Sequence, residues 1–183
     1  MRSEYLAEWR VDVERRDGVV RLVPGSALAR SVAAALEAAG APRPASIGLI
    51  LSDDAELASL NADHMGKSGA TDVLSFPLLP PSAFPDHPGK APDPAADGHP
   101  GAAFALPPGS RPHLGDIVVS IERAIDQAAA GRGGQTGDVR WDAGDELRLL
   151  VTHGTLHVCG WDHAEPEEEA AMRALERRLL AGG

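Results

Sequence analysis

Residues 153–163 read H-x-x-x-H-x-x-G-x-x-H, from His153 through His157 and Gly160 to His163, and this spacing dictates a helix that stops and turns. At about 100° per residue, His153 and His157 stand only ~40° apart on one helical face, one turn above the other. That pair can close on a single metal ion. Gly160 can adopt the left-handed conformation that ends a helix and sends the chain back, so His163 can approach the same ion from outside the helix. Three neutral imidazoles with one open position describe a catalytic zinc site, whereas structural zinc sites are closed by four protein ligands. The expected metal ligands are therefore His153, His157 and His163, with one Zn²⁺ per chain. Cys159, two residues past His157, points ~200° around the helix and reads as a small core residue.

The same histidine spacing occurs in metzincin proteases as H-E-x-x-H-x-x-G-x-x-H, with one difference. Gly154 stands where the protease carries its general-base glutamate, so the metal site is kept and the usual peptidase route is removed. Zinc held by three histidines can polarise a phosphoryl oxygen or lower the pKa of bound water toward ~7. From spacing alone the chain is a metal-dependent hydrolase.

Size and composition narrow the setting. At 183 residues a single domain with a real core is expected, spanning 1–183. No stretch is long enough to span a bilayer, and the charged segment from Met1 to Gly18 lacks the apolar run of a signal peptide. The single cysteine excludes an internal disulfide and suits a reducing cytoplasm. A net charge of −10 argues against nonspecific nucleic-acid binding, because phosphate affinity comes mostly from Lys and Arg. Much of the excess is local: Asp162, Glu165, Glu167, Glu168 and Glu169 follow the metal motif. With Pro166 in the first turn and Arg173, Arg177 and Arg178 toward the other end, the acidic run reads as the opening of a last helix. A nucleic-acid path would run elsewhere, past Lys67, Arg123 or Arg140.

The elements expected along the chain mix both types. Trp9, Val11 and Val13 alternate as a strand, with Val19 to Val23 extended or turning after it. Ser26 is an N-cap candidate for a helix through Ala39, ended by Gly40. Ile47 to Leu51 reads as a buried strand. Asp53 and Glu56 resemble a capping box opening a helix to about Ala62. Thr71 to Phe76 and Gly115 to Ile121 are strands, Glu122 to Ala130 a helix, and Gly131 to Gly137 a flexible connection. The metal helix is expected from about Asp138 to Val158. The class is α+β (mixed α/β), one small mixed sheet packed by about five helices. Residues 77–112 hold eleven of the fifteen prolines, which neither pair as sheet nor continue a helix, so a Pro/Gly-rich loop insertion is expected at about 80–112. His87, His99 and His113 lie in or beside it and read as solvated loop residues.

The stretch from His153 to His163, H-G-T-L-H-V-C-G-W-D-H, resembles the H-G-x-L-H-L-x-G-Y-D-H signature of the YbeY endoribonucleases, a bacterial rRNA maturation family. Thr71 to Pro77 is similar to the family's T-D-V-L-S-F-P strand, and Leu114 to Ser120 to its L-G-D-I-V-I-S strand. The three motifs follow in the family's order, apart from the insertion, over roughly Leu57 to the C-terminus. The resemblance implies a zinc-dependent nuclease of single-stranded RNA, acting on ribosomal RNA (the 16S rRNA 3′ end) and in ribosome quality control, with the ribosomal small subunit or its assembly factors as partners.

Catalytic candidates beyond the ligands are few. Asp162, beside His163, and Asp116, in an otherwise apolar strand, are candidates to orient a ligating imidazole; the competing readings are a turn residue and a carboxylate capping backbone amides. Thr71 and Asp72 read as fixing the start of their strand. The chain departs from the family at Leu60-Asn61-Ala62-Asp63-His64-Met65-Gly66-Lys67, where Met65 takes the place of an arginine proposed to bind phosphate. A thioether cannot do this, so His64 or Lys67 supplies the cation or this branch works differently. Three functions follow: the endoribonuclease; another zinc-dependent hydrolase, such as an atypical peptidase with its base from elsewhere; and a ribosome-associated binding protein with structural zinc.

Overall fold

The computed structural model describes residues 1–88, 90, 111–131 and 142–182. Five strands form one sheet in the order β1-β2-β3-β5-β4. β1 (Arg2–Leu6) and β2 (Trp9–Arg15) make an antiparallel hairpin, β3 (Ala45–Ser52) runs parallel to β2, and β5 (His113–Ser120) parallel to β3. β4 (Val73–Pro77) closes the far edge antiparallel to β5. Five helices accompany the sheet: α1 (Gly25–Ala38), α2 (Asp54–Met65), α3 (Ile121–Ala129), α4 (Ala143–Val158) and α5 (Pro166–Ala181). The α+β expectation agrees with this architecture.

Strand alternation divides the apolar residues between two faces. Val11, Ile47, Leu49, Ile117 and Val119 join α1, α4 and α5 in the main core, while Val118 and Leu74 pack with Leu57 of α2 in a second, smaller cluster. α4 lies against β4 and β5 and also touches α1, α3 and α5, so the metal helix is the central element of the main layer. None of the described helices is long and apolar enough to cross a membrane.

Several boundaries differ from expectation, each for a local reason. β1 was not visible in the sequence because, as an edge strand, it exposes most of its side chains and carries charge rather than alternation. α1 starts one residue before Ser26, with Pro24 at the N-cap and no side-chain cap. Instead Pro24 O accepts from the amides of Ala27 and Leu28. At α2 only half of the expected box forms: Asp53 accepts from the Glu56 amide at 2.9 Å. The Glu56 carboxylate is drawn off by the Arg16 guanidinium and the Ser52 hydroxyl, which hold it below the usual carboxylate range. α4 begins at Ala143 rather than near Asp138. Asp142 caps it by accepting from Gly144 and Asp145, and Asp145 returns a bond to the Asp142 amide. Residues 138–141, Arg140 among them, and 132–137 lie outside the described residues.

The first leg of the proline-rich segment is more engaged than its composition suggests. After a 3₁₀ turn at Pro81–Ala83, Phe84 enters the main core at 4% exposure. The His87 ring stacks on Trp161 at 3.9 Å between centroids, so His87 is not a solvated loop residue. Lys90 forms an isolated antiparallel bridge with Trp161, and its ammonium donates to Phe84 O and Asp86. Residues 91–110, His99 among them, lie outside the described residues.

Candidate metal centre

α4 sets His153 and His157 one turn apart, with their Nε2 atoms facing each other at 3.0 Å. The helix ends at Val158, and Gly160 follows with φ +80°. The amides of Gly160 and Trp161 turn back to His157 O and Leu156 O at 3.0 and 3.1 Å, satisfying carbonyls that the helix end would leave unpaired. A side chain at 160 would also meet the Pro81 backbone at 3.2 Å. The reversed chain delivers His163, whose ring centroid lies 5.4 Å from that of His153 and 5.0 Å from that of His157. One ring nitrogen from each of the three histidines lies within 4.8 Å of the others, an arrangement able to hold a metal ion.

The protonation state suits ligation. His157 is pushed down to about 4, first by burial and then by the neighbouring His153 and His163. It is therefore neutral at neutral pH, as a ligand must be. His153 Nδ1 lies 2.7 Å from Oε1 of Glu176 on α5, and the Glu176 side chain is only 5% exposed. A carboxylate only accepts, so Nδ1 carries the proton and Nε2 presents its lone pair toward His157 and His163. Sequence reasoning missed Glu176. Its signal was a lone carboxylate on the α5 stripe that buries Met172 and Leu175. Cys159 is buried, and its thiol is pushed up to about 12 by that burial, so it is a core residue.

The other candidates are placed differently. Asp116 bonds none of the three clustered imidazoles. It bonds His113 Nε2 at 3.1 Å, while His113 Nδ1 lies 3.2 Å from Ser46 Oγ. Its carboxylate lies across Gly48, where an added Cβ would sit 2.0 Å from Oδ1. Asp162 accepts from the His163 amide at 2.8 Å, so it holds the turn; it bonds no imidazole, and its charge acts on His157 only as a minor opposing influence. Thr71 and Asp72 fix the start of β4, with Asp72 accepting from the Val73 amide and from Gln127. Lys67 is exposed and without a side-chain partner among the described residues. Met65 is 46% exposed at the last position of α2. Arg123 is committed to Asp54 at 3.0 Å.

At Gly154, α4 packs closely on the sheet. A Cβ there would fall 2.7 Å from Ile117 Cγ2 and 2.9 Å from Val73 Cγ2, and Ser75 donates to Gly154 O at 3.0 Å. A glutamate at 154 would fit only if these side chains or the helix shifted. On its other side the triad opens into a cleft lined by His153, His163, Glu169, Met172, Arg173 and Glu176.

A three-histidine cluster able to hold a metal ion, with an open cleft beside it, is therefore built on a mixed α/β fold. The family model described as Endoribonuclease YbeY matches residues 21–182. The chain is 39% identical over 150 residues to an Endoribonuclease YbeY of Symbiobacterium thermophilum, covering 81% of this chain and 79% of that protein. It is 42% identical over 147 residues to one of Salinispora tropica, covering 80% of each. This chain belongs to the YbeY endoribonuclease family. A solution structure from Thermotoga maritima, TM1509, aligns over 94% of this chain and 90% of its own, at 18% identity and a TM-score of 0.49.

Proposed function

We propose that this chain is a zinc-dependent endoribonuclease of single-stranded RNA, acting in ribosomal RNA maturation at the 16S 3′ end and in ribosome quality control. Its setting is the cytoplasm, and its partners are the ribosomal small subunit or its assembly factors. The observation that carries the reading is the convergence of His153, His157 and His163 on one point beside a glycine where a peptidase glutamate would collide with Ile117 and Val73. Family membership supports RNA as the substrate.

When bound, zinc would supply Lewis-acid polarisation of a phosphoryl oxygen. The protein's own contribution is positional. His153, His157 and His163 hold the ion, Glu176 fixes the His153 tautomer, and the turn from Gly160 to Asp162 sets the third imidazole. The cleft between this centre and α5 gives a phosphodiester its approach. We take residues 1–183 as one domain carrying the insertion at about 80–112.

The test combines metal analysis with cleavage assays on single-stranded RNA and on casein. The expected result is one zinc per chain, chelator-sensitive RNA cleavage and intact casein. Casein cleavage would replace the reading with a peptidase. Co-sedimentation with ribosomal particles by a zinc-loaded protein that cuts no RNA would replace it with a binding protein whose zinc is structural.

A further inference from the structure

The cleft beside the triad presents an electrostatic problem for an anionic substrate. Of its six lining residues, Glu169 and Glu176 are carboxylates, His153 and His163 belong to the metal cluster, and Met172 is a buried thioether. Arg173 is the one guanidinium among them. The spacing 169, 172, 173, 176 runs i, i+3, i+4, i+7 along α5, so these side chains share the face turned toward the histidines. Arg173 thus sits on the same stripe as the carboxylate that touches His153. Glu176 is spoken for by His153, while Glu169 is paired with Arg173 itself, Oε1 accepting from Nη2. Both members of that pair are more than two-fifths exposed, and exposed ion pairs one helical turn apart are weakly held.

We propose that Arg173 is the phosphate-binding residue of this cleft, kept in position by Glu169 and transferred to a backbone phosphate of single-stranded RNA on binding. A guanidinium offers a phosphate two parallel charge-assisted hydrogen bonds, whereas Glu169 takes one of them in the free protein. The exchange releases Glu169 to solvent and places the phosphate beside His153 and His163. Several other cations are spent elsewhere, Lys90 on Phe84 O and Asp86, Arg123 on Asp54 and Arg148 on Asp145, and the exposed Lys67 does not line the cleft. The inference rests on the endoribonuclease reading for its substrate, though the anion site itself rests on the cleft.

The experiment measures binding of the zinc-loaded protein to a short labelled phosphorothioate oligoribonucleotide by anisotropy, at several salt concentrations, beside single-turnover cleavage of the ordinary RNA and inorganic phosphate binding. Arg173→Ala should weaken oligonucleotide binding roughly 10-fold, as expected for loss of a charge-assisted contact, and lower the salt slope by about 0.7. Arg173→Lys should restore the slope but only part of the affinity. Glu169→Gln should tighten binding, and most of that gain should vanish when Arg173→Ala is added. Unchanged melting temperatures in all variants keep folding out of the comparison. Binding and slope unaltered in Arg173→Ala would overturn the proposal, as would an equal Glu169→Gln gain with and without Arg173. If wild type neither binds nor cuts RNA yet takes inorganic phosphate through Arg173, the anion site stands and the nuclease reading falls. RNA cleavage equal in wild type and Arg173→Ala has the opposite meaning.

Discussion

Nδ1 of His153 on α4 donates to Oε1 of Glu176 on α5 across 2.7 Å, and that carboxylate is almost fully buried. The bond joins two helices and also decides which ring nitrogen of His153 is free. Glu176→Ala should therefore lower zinc affinity by ~10–100-fold, the usual effect of removing a hydrogen-bond partner of a ligating histidine. Glu176→Gln should lose less, because an amide oxygen still accepts from Nδ1. Chelator competition on folded protein measures both. Equal affinity in wild type and Glu176→Ala would show that the contact only joins the helices.

His157 gives the metal-free protein a pH signature. Its folded-state pKa lies below the usual 6.5, at about 4, so the unfolded chain binds more protons between those values. The contribution to stability is fully present above 6.5 and is lost as pH falls toward 4, with a slope of up to about 1.4 kcal/mol per pH unit. Melting of the metal-free protein should fall from pH 6.5 to 5, above most carboxylate titration. The slope in that window should flatten in His157→Gln. An unchanged slope would place the acid sensitivity in other groups.

His157→Ala tests the ion-binding triad directly. Two remaining imidazoles leave an ion mostly in water, so zinc content after dialysis should drop severely. Full retention of one zinc per chain would remove His157 from the ligand set.

Gly154→Ala should destabilise the fold by ~1–3 kcal/mol despite the better helix propensity of alanine, because the added methyl meets Ile117 and Val73 below 3.0 Å. Both neighbours are β-branched and cannot swing away cheaply. Adding Val73→Ala should recover part of the loss. Melting of the single and double variants decides this, and a Gly154→Ala protein as stable as wild type would mean that α4 shifts freely over the sheet.

Phe84→Ala should cost about 3–5 kcal/mol, since the ring is buried in the main core although it belongs to the proline-rich segment. A loss under 1 kcal/mol by denaturant melting would mean that the segment's first leg is dispensable. A segment read from its prolines as a loop insertion thus still contributes to the core at Phe84.

The site was legible in the sequence where spacing encodes geometry. His153, His157 and Gly160 share one short segment, and helical periodicity followed by a left-handed glycine leaves His163 little choice of position. Buried strands were legible for the same reason, as in the apolar run of β3. Residues brought together by tertiary packing were not. Glu176 lies 23 positions from His153, and nothing in the local pattern names its partner. Asp116 looked functional because it interrupts an apolar strand, yet the interruption is matched across the sheet by Gly48 and answered by His113. His87 read as a solvated loop residue until the flat face of Trp161 gave it a surface.

The fit of Gly154 against Ile117 and Val73 also bears on how such a centre can change over evolutionary time. Three histidines at this spacing are shared with a peptidase pattern, so interconversion looks like the replacement of one residue. Here the neighbouring position is closed by the backbone separation of helix and sheet, set by side chains on two strands. A carboxylate could be acquired there only with compensating changes at Ile117 or Val73, or with a shift of α4 that would carry His153 and His157 with it. Exchanging the glycine alone is therefore not enough, because the sheet beneath must change as well.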